Sequence, residues 1–221
     1  MNLEGKILGL LSALAVFSAG TPAYAGPTYR FTDITYNSAM DAAIGEAQLF
    51  LEVAPGLDPG KAQFHFTNTG PAAASITDVY FEDGSLLGIA QIIGGTGVSF
   101  SAPATPPNLP GGASITPPFV ATEEFSADSD PPVQPNGVNP GEDLWIVFTL
   151  QSGRTYADVL SDLGSADLRV GIHVQGFASG GSESFVNDPS PNVIPAPGAA
   201  LLCILGASLV DQLRRRRMLN G

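Results

Sequence analysis

The chain has 221 residues, a formal net charge of −12, 26 glycines and 19 prolines. A surface this acidic repels phosphate backbones, which excludes nucleic acid as a partner. The length suits one domain with a sizeable core, and the single cysteine, Cys203, leaves no internal disulfide to hold it.

Residues 1–25 read as a secretory signal peptide. Lys6 gives a weakly basic start, residues 7–17 are apolar, and small residues lead to Ala23-Tyr24-Ala25, an A-x-A cleavage pattern. Cleavage is expected between Ala25 and Gly26, which would make Ala23 and Ala25 the recognised pair. A buried N-terminal helix is the other reading of the same run.

Residues 26–179 read as the folded body. From Gly26 to Pro197 there are nineteen carboxylates and only Arg30, Lys61, Arg154 and Arg169, a net charge of −15. Such a surface attracts cations and keeps an exported protein soluble. Glycine and proline punctuate short alternating segments, the pattern of an all-β domain with many turns. Strands are predicted at 28–36, 47–53, 63–67, 76–81, 89–93, 144–150 and 168–175. Phe64 and Phe66 share one face, with His65 on the other. Leu144, Ile146, Phe148 and Leu150 point inward, opposite Trp145. Leu168, Val170, Ile172 and Val174 do the same, opposite His173.

Residues 101–118 and 128–140 are rich in proline, glycine and small residues, and are predicted as surface loops. One short helix follows. Thr155 caps it, Asp158 favours its dipole, Tyr156, Val159, Leu160 and Leu163 share a face, and Gly164 ends it. Seven or more strands around one core predict an all-β fold, a β-sandwich of Ig-like or jelly-roll-like type. The expected frame is an N-terminal signal helix before it and a C-terminal transmembrane helix after it.

Candidate chemistry is sparse. There is no G-x-S-x-G, no H-E-x-x-H and no P-loop, and the body has no cysteine nucleophile. The body is therefore expected to be non-enzymatic. A glycosidase-type carboxylate pair is defined by spatial separation, which spacing along the chain does not reveal. His65 and His173 form a two-histidine metal site if their strands pair, and are ordinary strand histidines otherwise. Asp128 and Asp130, with Glu123, Glu124 and Asn136 nearby, offer hard oxygen ligands at alternating positions. Calcium is the one cofactor they suggest, against the plainer reading of solvated loop carboxylates; Pro131 and Pro132 break the EF-hand pattern. Asp78, Glu82 and Asp83 form a similar cluster. Trp145 is either an exposed platform for sugar stacking or, as Val147 on its face suggests, covered by a loop or the helix.

Residues 180–192 read as a tether, and residues 193–221 as a sorting segment. Pro195-Ala196-Pro197 precedes an apolar run, residues 198–210, of ~20 Å as a helix. A transmembrane helix over 198–213 is expected, lengthened by the stems of the arginines that follow. Arg214, Arg215, Arg216 and Arg217 favour the cytoplasmic side and place everything upstream outside. An ordinary C-terminal anchor is one reading.

The order of these features resembles the PEP-CTERM sorting signal of Gram-negative bacteria, with Ala196 where that signal commonly has Glu. The resemblance implies recognition and processing by an exosortase. Phe66-Thr67-Asn68-Thr69-Gly70, the run from Ile76 to Gly84, the run from Phe125 to Pro132 and the run from Gly171 to Phe177 resemble an uncharacterised family of such proteins. That family implies surface display and carries no known catalytic residues. The expectation is an exported cell-surface or extracellular-matrix protein, membrane-anchored or released, with a structural or adhesive role. Its implied partners are the secretion machinery, the exosortase, the membrane and extracellular polysaccharide. A carbohydrate-binding module is the alternative, and a secreted hydrolase a third.

Overall fold

The computed structural model describes residues 26–191. The expected signal peptide, with Ala23 and Ala25, lies outside the described residues. So do Pro195, Ala196 and Pro197, the segment 198–213, and Arg214, Arg215, Arg216 and Arg217. Among the described residues no helix is long and apolar enough to cross a membrane.

Ten strands form in chain order: β1 (Thr28–Asp33), β2 (Leu49–Pro55), β3 (Lys61–Asn68), β4 (Ser75–Phe81), β5 (Leu86–Gly94), β6 (Phe100–Ser101), β7 (Ser126–Ser129), β8 (Asp143–Leu150), β9 (Val170–Gln175) and β10 (Glu183–Asn187). Three helices accompany them: α1 (Ala39–Gln48), α2 (Val133–Asn136) and α3 (Tyr156–Ser165). The fold is all-β. The strands run antiparallel in one sheet, ordered β5-β8-β3-β2-β1-β10-β9-β4-β7-β6. The two end strands, β5 and β6, approach each other, so the sheet is nearly closed. β1 joins its two halves: Thr28, Tyr29 and Arg30 pair with β2, while Phe31, Thr32 and Asp33 pair with β10.

Alternation builds the core. In β3, Ala62, Phe64, Phe66 and Asn68 are buried while the residues between them are half-exposed. Phe81 packs edge-on against Phe148 at 4.6 Å and against Phe64 at 5.0 Å, the arrangement that the aromatic quadrupole favours. β4 and β10 are buried along their whole length. Their outer face is covered by the proline-rich segment after β6, where Ala104, Leu109 and Phe119 pack on Tyr80 and Val186.

α3 forms as predicted at its start. The Thr155 N–H and hydroxyl both donate to Asp158 Oδ2 at 2.7 Å, closing a capping box. The helix runs past Gly164 and ends at left-handed Ala166.

Several expectations need correction. Among the described residues there are three α-helices where one was expected. α1 escapes a periodicity search because its buried face is Asp41, Gly45 and Gln48 rather than a run of large apolar residues. Gly45 lies under Phe185, where a Cβ would sit 2.2 Å from the ring. The tether expected from residue 180 contains β10, which sits between β1 and β9, so the body extends beyond residue 179. The loop expected at 101–118 is not simply on the surface, since it buries Ala104 and Leu109. The loop expected at 128–140 begins as the end of β7 and contains α2.

Candidate functional site

Two polar rows cross the outer face of the sheet, each set by register. The first places Ser101, Asp128, Asp78, His173 and Ser184 opposite one another on β6, β7, β4, β9 and β10. Directly opposed residues share a face, so these side chains form one file. A register shift between Ile76 and Asp78 leaves Thr77 as an extra residue, and its hydroxyl donates to Asp78 Oδ2 at 2.7 Å. The Tyr80 hydroxyl donates to the Pro106 carbonyl at 3.0 Å. The Thr105 N–H donates to Asp128 Oδ2 at 3.1 Å. The covering loop is therefore pinned to the row it covers.

Between loop and sheet lies a cavity of about 160 Å³, lined by Asp78, Asp128, His173, Gln175, Thr105 and Pro106 among others. Asp78 is 7% exposed. Burial pushes its carboxyl up to about 6, the Thr77 hydroxyl opposes this, and the Asp128 charge adds to it. Burial raises the Tyr80 hydroxyl, with the two aspartate charges reinforcing it. Burial lowers the His173 imidazole, against a hydrogen bond with the Glu183 backbone. Near neutral pH the file thus contains a neutral histidine and a carboxyl that titrates close to pH 6. Ser184 is wholly buried, with its hydroxyl 3.0 Å from His173 Nδ1. The volume is below the ~300 Å³ at which ligand pockets begin, and equals about five waters.

Asp128 and Asp130, the expected calcium pair, diverge. Asp128 belongs to the file. Asp130 accepts from the Ser99 and Ser101 hydroxyls at 2.6 and 2.7 Å, and those bonds hold its carboxyl below the ordinary range. Asn136 is turned to the Asp130 backbone carbonyl. Among the described residues, no group of three or more His, Cys, Asp or Glu is placed to hold a metal ion. The structure also separates the two histidines: β2, β1 and β10 lie between the strands of His65 and His173. A shared metal site is therefore ruled out by topology.

The second row places Glu52, His65, Trp145 and Ile93 opposite one another on β2, β3, β8 and β5. The His65 and Trp145 rings stack at 3.7 Å, with their planes 8° apart. Asp143 Oδ2 clamps both, accepting from Trp145 Nε1 at 3.1 Å and meeting His65 Nε2 at 2.9 Å. Trp145 is half-buried. Its cover is neither a loop nor the helix, as the sequence suggested, but the imidazole on the adjacent strand. His65 Nδ1 lies 3.9 Å from Glu52 Oε2 and has no hydrogen-bond partner in the described structure. Glu52 Oε1 accepts the Gly26 N–H at 2.8 Å. A Cβ on residue 26 would meet the Val53 carbonyl oxygen at 1.7 Å, so only glycine fits there.

Sequence reasoning missed a third polar group, which is structural. Glu183 is fully buried, and it accepts from the Thr35 hydroxyl (2.5 Å), the Asn37 N–H (3.1 Å) and the Ser38 N–H (2.5 Å). Asp33 accepts from the Tyr36 N–H at 2.8 Å. Together they tie the turn before α1 to β10. Compared with protein-family models, curated proteins and solved structures, the chain matches none.

Proposed function

We propose that this is an exported cell-surface or extracellular-matrix protein with a structural or adhesive role and no catalytic activity. Its tail would direct it to an exosortase, and polysaccharide is the partner this destination implies. The reading rests on the two end segments of the sequence, and the comparisons add no support to it. One structural observation favours it. Gly26, the residue that cleavage after Ala25 would leave first, is seated on Glu52 at a place no side chain fits. The sheet is best read as a β-sandwich, because β1 divides its pairing between two halves whose inner faces share one aromatic core.

Intact mass of the protein from cells and from medium tests this. A product from Gly26 to near Pro197 supports export with tail processing. A membrane-bound product retaining Arg214, Arg215, Arg216 and Arg217 removes the sorting reading, and one retaining residues 1–25 removes export by this signal.

A carbohydrate-binding module is the second reading, favoured by the half-exposed Trp145 held flat against His65. Electrophoresis through gels containing extracellular polysaccharide tests it: retardation that Trp145→Ala abolishes supports binding, and mobility unchanged by the polysaccharide removes it.

A further inference from the structure

The four cations of the body are committed away from Glu52. Lys61 pairs with Asp58, Arg154 with Asp158 and Arg169 with Glu82, while Arg30 lies over the Phe50 ring. Glu52 is half-buried, and two other groups meet its carboxylate. Oε1 accepts the Gly26 N–H at 2.8 Å, and Oε2 lies 3.9 Å from the buried, unpartnered His65 Nδ1.

The Gly26 nitrogen is held there by backbone. Thr28 stands opposite Glu52 on β1 and β2, and the ladder continues outward, with the Val53 N–H donating to the Pro27 carbonyl at 3.1 Å. Gly26 then lies so close to the Val53 carbonyl that no Cβ fits. The Tyr156 hydroxyl donates to that same carbonyl at 2.7 Å, so α3 helps to fix the seat.

While the bond before Gly26 is intact, this nitrogen brings Glu52 one neutral donor. Hydrolysis adds water across that bond. Ala25 leaves as a carboxylate, and the Gly26 nitrogen takes up a proton to become an ammonium with three donors. A positive charge then appears at hydrogen-bond distance from Glu52, and a charge-assisted bond is stronger than a neutral one. Exposed ion pairs are usually weak because two long side chains must be immobilised. Here the cation sits on backbone that the ladder already holds.

We propose that cleavage after Ala25 creates an α-ammonium on Gly26 that pairs with the Glu52 carboxylate, so that maturation itself locks the start of β1 to β2. The proposal rests on the export reading above, which supplies the cleavage. Around the amine stand Glu52, His65, Arg30 on the same face of β1 as Thr28, and the hydroxyls of Tyr29 and Tyr156. Burial raises both hydroxyls, Tyr156 to about 12, so neither titrates with the amine.

Competitive acylation with acetic anhydride tests it, on the chain from Gly26 to Gly221 prepared behind a removable leader and kept in mild detergent. Labelling scored by mass spectrometry between about pH 6.5 and 9.5 should place the amine about half a unit above the same chain in urea, roughly threefold tighter proton binding. That comparison needs no variant. Glu52→Gln and Gly26→Ala should each erase the difference. In melts near pH 7, Glu52→Gln should lower Tm by about 1–3 °C more in this chain than in the uncleaved chain. The excess is present below the unfolded α-amino value, about 8, and should be lost by about pH 9.5 as the folded amine gives up its proton. An amine that titrates alike in folded chain and in urea, or is indifferent to Glu52→Gln, overturns the pairing and leaves the export reading untouched. Protein recovered from cells and medium with residues 1–25 still attached overturns both, whatever the prepared chain shows.

Discussion

Replacing Asp78 with Asn should stabilise the protein at alkaline pH and leave it unchanged in acid. Asp78 is 7% exposed, faces Asp128 across β4 and β7, and has its carboxyl raised from 3.8 to about 6. The folded state therefore holds this proton more tightly than the unfolded chain does. Stability from that proton is fully present below the unfolded value and is lost as pH rises through about 6. The difference of about two pH units corresponds to about 3 kcal/mol at pH 8, an upper bound because the loop can relax and admit water. Asparagine keeps an oxygen for the Thr77 hydroxyl and carries no charge. Asp78→Asn should thus gain roughly 1–3 kcal/mol at pH 8 and almost nothing at pH 4. For a body of this size that is ~2–4 °C in Tm per kcal/mol. Paired thermal melts of both proteins from pH 4 to 8 give the difference directly. His173, lowered by burial, costs stability as pH falls, but it is common to both proteins and cancels to first order. A variant less stable at pH 8, or a difference flat across pH, would refute the assignment of buried negative charge to Asp78.

Glu183→Gln should cost about 2–4 kcal/mol in urea unfolding, because an amide cannot accept all three donors that the carboxylate holds; exchange of the Asn37 and Ser38 amides should quicken with it. Leu109→Ala should cost about 2–4 kcal/mol by opening a void in the outer cluster. It should also bring the Asp78 carboxyl down toward its ordinary value by admitting water, measurable by carbon NMR. Arg169→Met should cost about 2–4 kcal/mol, since it leaves the Glu82 carboxylate and the Pro117 and Pro118 carbonyls without their shared donor; limited proteolysis should then cut first near residues 115–119.

The strands legible in the sequence are those with one wet face. β3, β8 and β9 alternate because their outer side chains meet solvent, or at least other polar groups, so the period of two survives in composition. β10 gives no such signal. Its residues Glu183, Ser184 and Asn187 look like a solvated tether, yet all are buried and satisfied. Glu183 holds the turn before α1, Ser184 meets His173, and Asn187 Oδ1 accepts the Val170 N–H at 2.7 Å. Those partners lie 11 to 148 residues away, beyond what a local pattern encodes. α1 is hidden for a related reason: an alanine-rich helix packed through a glycine has no apolar stripe. The stacking of His65 on Trp145 depends on the register of β3 against β8 across 80 residues of chain. Each residue was visible as polar-facing, but their contact was not. The acidic file is the same case, since Asp78 and Asp128 meet only because β7 returns beside β4.

The position of β10 changes how the two ends of the body relate. β1 begins where β10 ends, with Phe31 opposite Asn187, the Asp188 N–H donating to the Arg30 carbonyl at 2.9 Å, and the Thr32 hydroxyl donating to Asp188 Oδ1 at 2.7 Å. The segments read as export signals therefore join the body at the same end of one strand pair. A force on the tail reaches β10, which is hydrogen-bonded on both sides, to β1 and β9. A component along the strand would shear two ladders at once rather than peel an edge. Had residues 180–192 been the tether, the load would have fallen on β9 and the body could have swung freely. With Asp188 still tied to β1, only six residues separate it from Pro195, a reach of at most about 25 Å. Any protease that cuts at Pro195-Ala196-Pro197 must work within that distance of the sheet, so a processing enzyme has to accommodate a folded body pressed close to its active site.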